Sequence, residues 1–185
     1  MKFITIYKTG ENMDKITEVD FLDNSIREIT KEEAHKDGIL HRAFSVILYK
    51  EDKILLQQRA HDKYHCGGLW TNTCCSHPRW EESLEEAVNR RLMEEMGIEA
   101  KTEEISSFTY YYKFENGLAE FEYDHVFAGE YNGNFSINRE EAACAKWVTI
   151  SELMLWMKKS PHEFTPWFII IMPKFIEYLR EKGIK

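Results

Sequence analysis

Residues 69–98 read LWTNTCCSHPRWEESLEEAVNRRLMEEMGI, and the reading of this stretch decides the fold. Pro78 and Trp80 close a Cys-Ser-His-Pro turn, after which Leu84, Ala87, Val88, Leu92 and Met96 recur at the spacing of one helical face. The spacing predicts a helix over 82–96, with Gly97 as its stop. At about 100° per residue the apolar positions form one broad stripe, and Glu95 projects near its middle. A carboxylate aimed at a core is costly unless it is paired or holds a cation. Glu95 therefore needs a partner, and a metal is the obvious one; Glu94 sits to one flank, beside Arg90 and Arg91.

Working outward toward the N-terminus, the loop 59–68 is polar and carries Arg59, His61, Lys63 and His65 toward Cys75. Ahead of it, His41 opens a strand over 44–49 that turns at 50–52 into a second strand over 53–58. Thr30 followed by Glu33 is a capping-box signal for a short helix bearing Lys31 and His35, stopped by Gly38. The runs Phe3 to Tyr7 and Ile16 to Leu22 read as peripheral strands, and Asp23-Asn24-Ser25 as a turn.

Toward the C-terminus, a tyrosine-rich strand over 107–114 precedes Asn116-Gly117, a strong hairpin signal, and a returning strand over 120–131. On that strand Glu120, Glu122, Asp124 and Val126 share one face, while Phe121, Tyr123, His125 and Phe127 share the other. Carboxylates at every second residue repel one another and are poor strand formers, so this row is a second element asking for a cation. An exposed acidic face is the plain alternative. A strand over 146–150 follows, then a helix capped by Ser151 and broken at Ser160-Pro161. Thr165-Pro166 starts a last helix toward Gly183, with a kink expected at Pro173. The irregular alternation predicts a single α+β domain with a mixed sheet between helices.

A length of 185 residues suits one domain. The net charge of -8 argues against general affinity for nucleic acid. The opening MKFITIYKTG holds too short an apolar run for a signal peptide, and no later run reaches membrane-spanning length. The expected setting is cytoplasmic, without nucleic acid or membrane as partner, as a monomer or weak homodimer. Four cysteines then read as thiols, with adjacent Cys74 and Cys75 pointing in different directions so that one faces the site. A zinc knot of Cys66, Cys74 and Cys75 with His65 or His77 lacks the paired C-x2-C spacing.

Residues 76–98 resemble a Nudix box, in which Glu82, Arg90, Glu94, Glu95, Gly97 and Ile98 fall in register. Ser76 replaces the opening Gly of that pattern. Arg91 replaces the first Glu of its Arg-Glu pair, a ligand that Nudix hydrolases usually need. The departure at Arg91 is what one expects of the type 1 isopentenyl-diphosphate isomerases, a Nudix branch that moves a double bond. The chain is similar to them from about Lys31 to Trp167: His35 and His41-Arg-Ala-Phe-Ser, Arg59-Ala, Leu-Trp-Thr-Asn ahead of Cys75-Ser-His77-Pro, Glu120-Phe-Glu122, and Phe-Thr-Pro-Trp167.

The resemblance implies a Nudix-like fold with an N-terminal extension over about 1–30, and a small prenyl diphosphate as substrate. It implies a cage of His35, His41, His77, Glu120 and Glu122 for Zn²⁺ or Mn²⁺ (or Mg²⁺), donors that suit these ions. Cys75 and Glu122 become the acid/base pair, with Tyr110 hydrogen-bonded close by and Trp167 facing the carbocation with its ring. Mg²⁺ held by Glu95 and the Cys75 backbone carbonyl binds the diphosphate, with Lys31, Arg59, Lys63 and Arg91 around it and Ser76 adding a hydrogen bond. The rival readings are a Nudix hydrolase acting on a nucleoside diphosphate derivative, and a noncatalytic metal-binding or ligand-binding module on the same scaffold.

Overall fold

A computed structural model describes residues 15–184, so the expected strand at Phe3 to Tyr7 lies outside the described residues. The chain runs β1 (Lys15–Val19), β2 (Ser25–Thr30), α1 (Lys31–Asp37), β3 (His41–Lys50), β4 (Lys53–Arg59), β5 (Trp70–Thr71) and β6 (Cys74–Ser76). It continues through α2 (Leu84–Met96), β7 (Glu103–Lys113), β8 (Ala119–Glu130), β9 (Ala142–Thr149) and α3 (Ile150–Lys159). A 3-10 turn (Pro161–Glu163) then leads into α4 (Pro166–Glu181).

The strands join in one mixed sheet whose spine is β3. Along one edge β3 runs parallel to β8, from the pair His41↔Glu122 to Tyr49↔Glu130. Its other edge is shared in short antiparallel stretches by β1, β6 and β4. Because β8 and β6 both pair with Ser45, they must flank β3 on opposite sides. The β7–β8 hairpin turns at Asn116-Gly117, as expected, and β9 adds to β4.

Both faces of the sheet are covered. Ile47 and Tyr49 of β3, Ile54 and Leu56 of β4, and Val126 and Ala128 of β8 pack under α3 and α4. The alternate residues Val46, Leu48, Leu55 and Phe127 pack under the Ala87, Val88, Leu92 and Met96 stripe of α2. A strand buried on both faces reads as a continuous apolar run, which is what VILY in β3 shows. The acidic row of β8 lies on the face of α3 and α4, just ahead of Val126, so one face changes from apolar core to polar site along a single strand.

Several boundaries differ from the sequence reading for local reasons. The second helix begins at Leu84, not Glu82: Ser83 and Glu86 close a reciprocal capping box, leaving Glu82 outside to accept from Arg90. Thr149, not Ser151, caps α3 by the same device with Glu152. The strand β2 gave no apolar alternation because Ile26, Arg27 and Glu28 are exposed at the sheet edge and only Ile29 is buried. Thr30 does cap α1, and Gly38 and Gly97 end α1 and α2 at φ of 64° and 62°, where a side chain would be strained. Pro173 sits inside α4. Among the described residues no helix is long and apolar enough to cross a membrane.

Candidate active site

The start of β3, the start of β8, α1 and the end of β6 meet where the apolar core under α4 gives out. His35 comes from α1, His41 opposes Glu122 across the parallel ladder, and His77 follows the last residue of β6. One ligand atom from each of His35, His41, His77, Glu120 and Glu122 lies within 4.8 Å of the others, and all five side chains are buried.

The hydrogen bonds around the cluster fix what it can hold. A carbonyl oxygen only accepts, so Nδ1 of His35 donates to Lys31 O and Nδ1 of His41 donates to Ile39 O. In the neutral rings this leaves each Nε2 with a lone pair turned inward. His35 Nε2 then faces Glu120 Oε2 at 2.9 Å, and His41 Nε2 faces His77 Nε2 at 3.2 Å. His77 Nε2 is also 2.9 Å from Glu122 Oε1. His35 Nε2, His77 Nδ1 and Glu120 Oε2 are buried without a hydrogen-bond partner. Electron pairs crowded this way fit a divalent cation, and three imidazoles with two carboxylates are a donor set for Zn²⁺ or Mn²⁺.

Burial governs the protonation of these groups. It pushes His41 down to about 4 and His77 well below the ordinary imidazole range, which keeps both rings neutral and able to ligate. Glu122 is driven well above the usual carboxylate range by burial and by Glu120 and Asp124, although Tyr110 Oη donates to its Oε2 at 2.6 Å. Asp124 is pushed up to about 8 by burial and accepts from Ser45 Oγ at 2.9 Å.

Glu122, Tyr110, Cys75 and Trp167 line one cavity together with Arg59, Tyr64 and His65. As neighbours on β6, Cys74 and Cys75 do point to opposite faces: Cys74 is buried beneath α2, and Cys75 turns to the cavity. Burial pushes the Cys75 thiol up to about 12, against the pull of Arg59, whose Nη1 lies 3.9 Å from the sulfur. Trp167 donates from Nε1 to Thr71 Oγ1 at 3.0 Å, which fixes its ring, and Thr71 in turn meets Thr165 at the start of α4.

Beside the cavity lies a recess lined by Lys31, Lys63, Ser76, Arg79, Arg90 and Arg91, with Lys31, Ser76 and His77 lining both spaces. Arg59, grouped with these cations in the sequence reading, stands in the cavity instead. Glu95 has the partner that its position demanded, but it is protein: Arg91 Nη2 donates to Oε1 at 2.6 Å and Gln57 Nε2 to Oε2 at 2.8 Å. The five-residue cluster does not include Glu95 or Cys75.

A model of the NUDIX domain matches residues 39–168. An isopentenyl-diphosphate Delta-isomerase from Serratia proteamaculans is 45% identical over 155 residues, covering 83% of this chain and 87% of its own. The chain belongs to the isopentenyl-diphosphate Delta-isomerase branch of the Nudix family. Isopentenyl-diphosphate Delta-isomerase 2 of Aromatoleum aromaticum is 42% identical over 164 residues, covering 88% of this chain and 87% of its own. Among solved structures, a MutT NUDIX hydrolase from Burkholderia pseudomallei superposes with a TM-score of 0.60 at 19% identity, over 73% of this chain and 97% of that one. That likeness establishes the fold, the mixed sheet between helices.

Two groups within this Nudix site escaped the sequence reading. Glu141, just before β9, accepts from Lys63 at 2.6 Å and lies 3.3 Å from Arg91, an anion set among the recess cations. Its place was illegible because only the pairing of β9 with β4 brings it there, as Arg59↔Ala142. Tyr64 walls the cavity from the 59–68 loop, where no periodicity marks which residue turns inward.

Proposed function

We propose that the cavity converts isopentenyl diphosphate to dimethylallyl diphosphate, with Cys75 and Glu122 handling the two protons. The observation that carries the roles is that the Cys75 thiol and the Glu122 carboxyl, both raised by burial, reach one aromatic cavity from strands on opposite edges of β3. Moving the double bond adds a proton to the terminal alkene carbon and removes one from the carbon on the far side of the resulting tertiary cation. One proton enters and one leaves, so no oxidant or reductant is needed. Tyr110 holds one Glu122 oxygen through its hydroxyl. Trp167, fixed by Thr71, presents a ring to the developing positive charge, an interaction of about 2 kcal/mol when desolvated.

A Zn²⁺, Mn²⁺ or Mg²⁺ ion on His35, His41, His77, Glu120 and Glu122 would supply the positive charge that lets Glu122 give up its proton. The diphosphate occupies the adjoining recess, where Lys31, Lys63 and Arg91 provide charge and Ser76 a hydroxyl. Mg²⁺ arriving with the diphosphate would neutralise part of its charge, with Glu95 and the Cys75 backbone carbonyl as protein oxygens. Since Glu95 is already paired, Arg91 exchanges carboxylate for phosphate as substrate binds. Hydrolysis is the weaker reading because Arg91 stands where the resemblance to Nudix hydrolases calls for a ligand carboxylate.

The test is conversion of isopentenyl diphosphate by the purified protein with Mg²⁺ plus Zn²⁺ or Mn²⁺, beside Cys75→Ala and Glu122→Gln, with phosphate release followed in the same tubes. Conversion by the parent, loss in both variants and no phosphate release supports the reading. Absence of conversion with every metal overturns it, and phosphate released from a nucleotide puts hydrolysis in its place.

A further inference from the structure

We propose that His65 is a positioning residue that orients Glu120 for the cation, an inference that rests on the metal reading of the five-residue cluster. The Glu120 carboxylate lies between two imidazoles: Oε2 faces His35 Nε2 at 2.9 Å on the cluster side, and Oε1 is 2.6 Å from His65 Nε2 on the other. His65 stands outside the cluster of five. It is 7% exposed, and apart from the Nε2 contact to Glu120 neither of its nitrogens has a hydrogen-bond partner among the described residues. The ring is held in place by packing: it stacks on Phe114 at 4.8 Å with an interplanar angle of 11° and meets Tyr64 edge-on at 4.4 Å.

A carboxylate that offers one oxygen to a metal can still rotate about its side chain. An N–H on the second oxygen removes that freedom and aims the first, and loss of such a supporting contact typically lowers metal affinity about 10–100-fold. His65 is also the point where the 59–68 loop reaches the cluster. The loop is tied down at Ala60 and Lys63 by Glu141, and at Tyr64 by Asn116 of the β7–β8 turn, whose Nδ2 donates to Tyr64 O at 3.0 Å. The same loop carries Lys63 into the diphosphate recess. His65 therefore links the cation cage to the segment that walls the substrate space.

The measurement is the Mn²⁺ dissociation constant, by competition with a chromophoric chelator, for the parent, His65→Phe, His65→Gln and Glu120→Gln. Phe keeps the stacking on Phe114 without a donor, and Gln restores a donor. We expect His65→Phe to bind Mn²⁺ about 10–100-fold more weakly and His65→Gln to recover to within about threefold of the parent. Glu120→Gln should lose the site. His65→Leu replaces His65→Phe if circular dichroism shows the latter unfolded. Parent-like affinity without the donor, or equal loss in the Phe and Gln variants, overturns the role of His65 while leaving the cage intact. A parent that binds neither Mn²⁺ nor Zn²⁺ overturns both.

Discussion

Two parts of this molecule concentrate carboxylates, and they resolve the charge in opposite ways. At α2, Glu82 just ahead of the helix and Glu94 within it are met by Arg90, and Glu95 by Arg91 and Gln57. At the start of β8, Glu120 and Glu122 face imidazoles whose nitrogens are turned inward as lone pairs, and buried acceptors are left without donors. From sequence the two regions looked alike, each asking for a metal. The structure separates them: the helix answers its carboxylates with guanidinium groups, whereas the strand leaves a deficit of positive charge. On the proposed reading, the recess beside the helix receives diphosphate and the strand cluster, whose donors could hold a metal ion, a divalent cation.

The sharpest way to break this comparison is to neutralise one charged side chain in each region. Glu122→Gln should cost about 10²–10⁴-fold in turnover, the usual size of a general acid/base contribution, without lowering the thermal midpoint of the metal-free protein. Steady-state isomerase assays beside calorimetry check this, and a fall in midpoint with retained turnover would reverse the assignment. Arg91→Met should do the opposite. It leaves Glu95, 3% exposed, without its charge partner, at a cost of about 3 kcal/mol in urea unfolding. The double variant Arg91→Met/Glu95→Gln should regain most of that loss, while both weaken diphosphate binding, read as a raised Michaelis constant.

Metal removal separates the regions by a smaller margin. A cation present at about 100 times its dissociation constant stabilises the fold by about 2.7 kcal/mol, so EDTA should lower the parent's midpoint and Mn²⁺ or Zn²⁺ restore it. The shift should vanish in His35→Ala and persist in Arg90→Gln. A shift that survives His35→Ala would place the cation elsewhere.

Much of this was legible because the anomalies were local. The Glu120, Glu122, Asp124 row follows from strand alternation alone, and the buried Glu95 from helical spacing. The cap at Thr30 and the stops at Gly38 and Gly97 are short-range signals that tertiary context did not override. What stayed hidden depends on distant pairing. Gln57 meets Glu95 across 38 residues because β4 passes beneath α2, and Glu141 meets Lys63 across 78. Neither pair leaves a mark at its own position. His65 was visible as one of several polar loop residues, and its burial, its contact with Glu120 and its stacking on Phe114 distinguish it from His61 or Lys63 only once the fold brings them together. The protein partner of Glu95 was overlooked for a related reason: a helix can supply its own guanidinium one turn back, and Arg91 at i−4 was read as a flanking residue.

The smallest expected effect tests whether the α2 arginines stabilise by charge at all. Glu82 accepts from Arg90 Nε at 2.6 Å and Nη2 at 2.7 Å, and its Oε2 also accepts from the Arg79 backbone N–H. Burial would raise its carboxyl, but these donors outweigh it and hold the group below the usual range. A carboxyl lowered in the folded state contributes stability above its unfolded pKa, near 4.3, and loses it as pH falls through the lower folded value. The pair is partly open to solvent, so the contribution should be within about 1 kcal/mol. Unfolding of the parent and Glu82→Gln in EDTA should therefore differ by that amount at pH 6 and converge as pH falls through the lowered folded value. A difference that persists at low pH would mean that Glu82 supports the start of α2 by packing, and that the contrast between helix and strand is not one of charge at this end of α2.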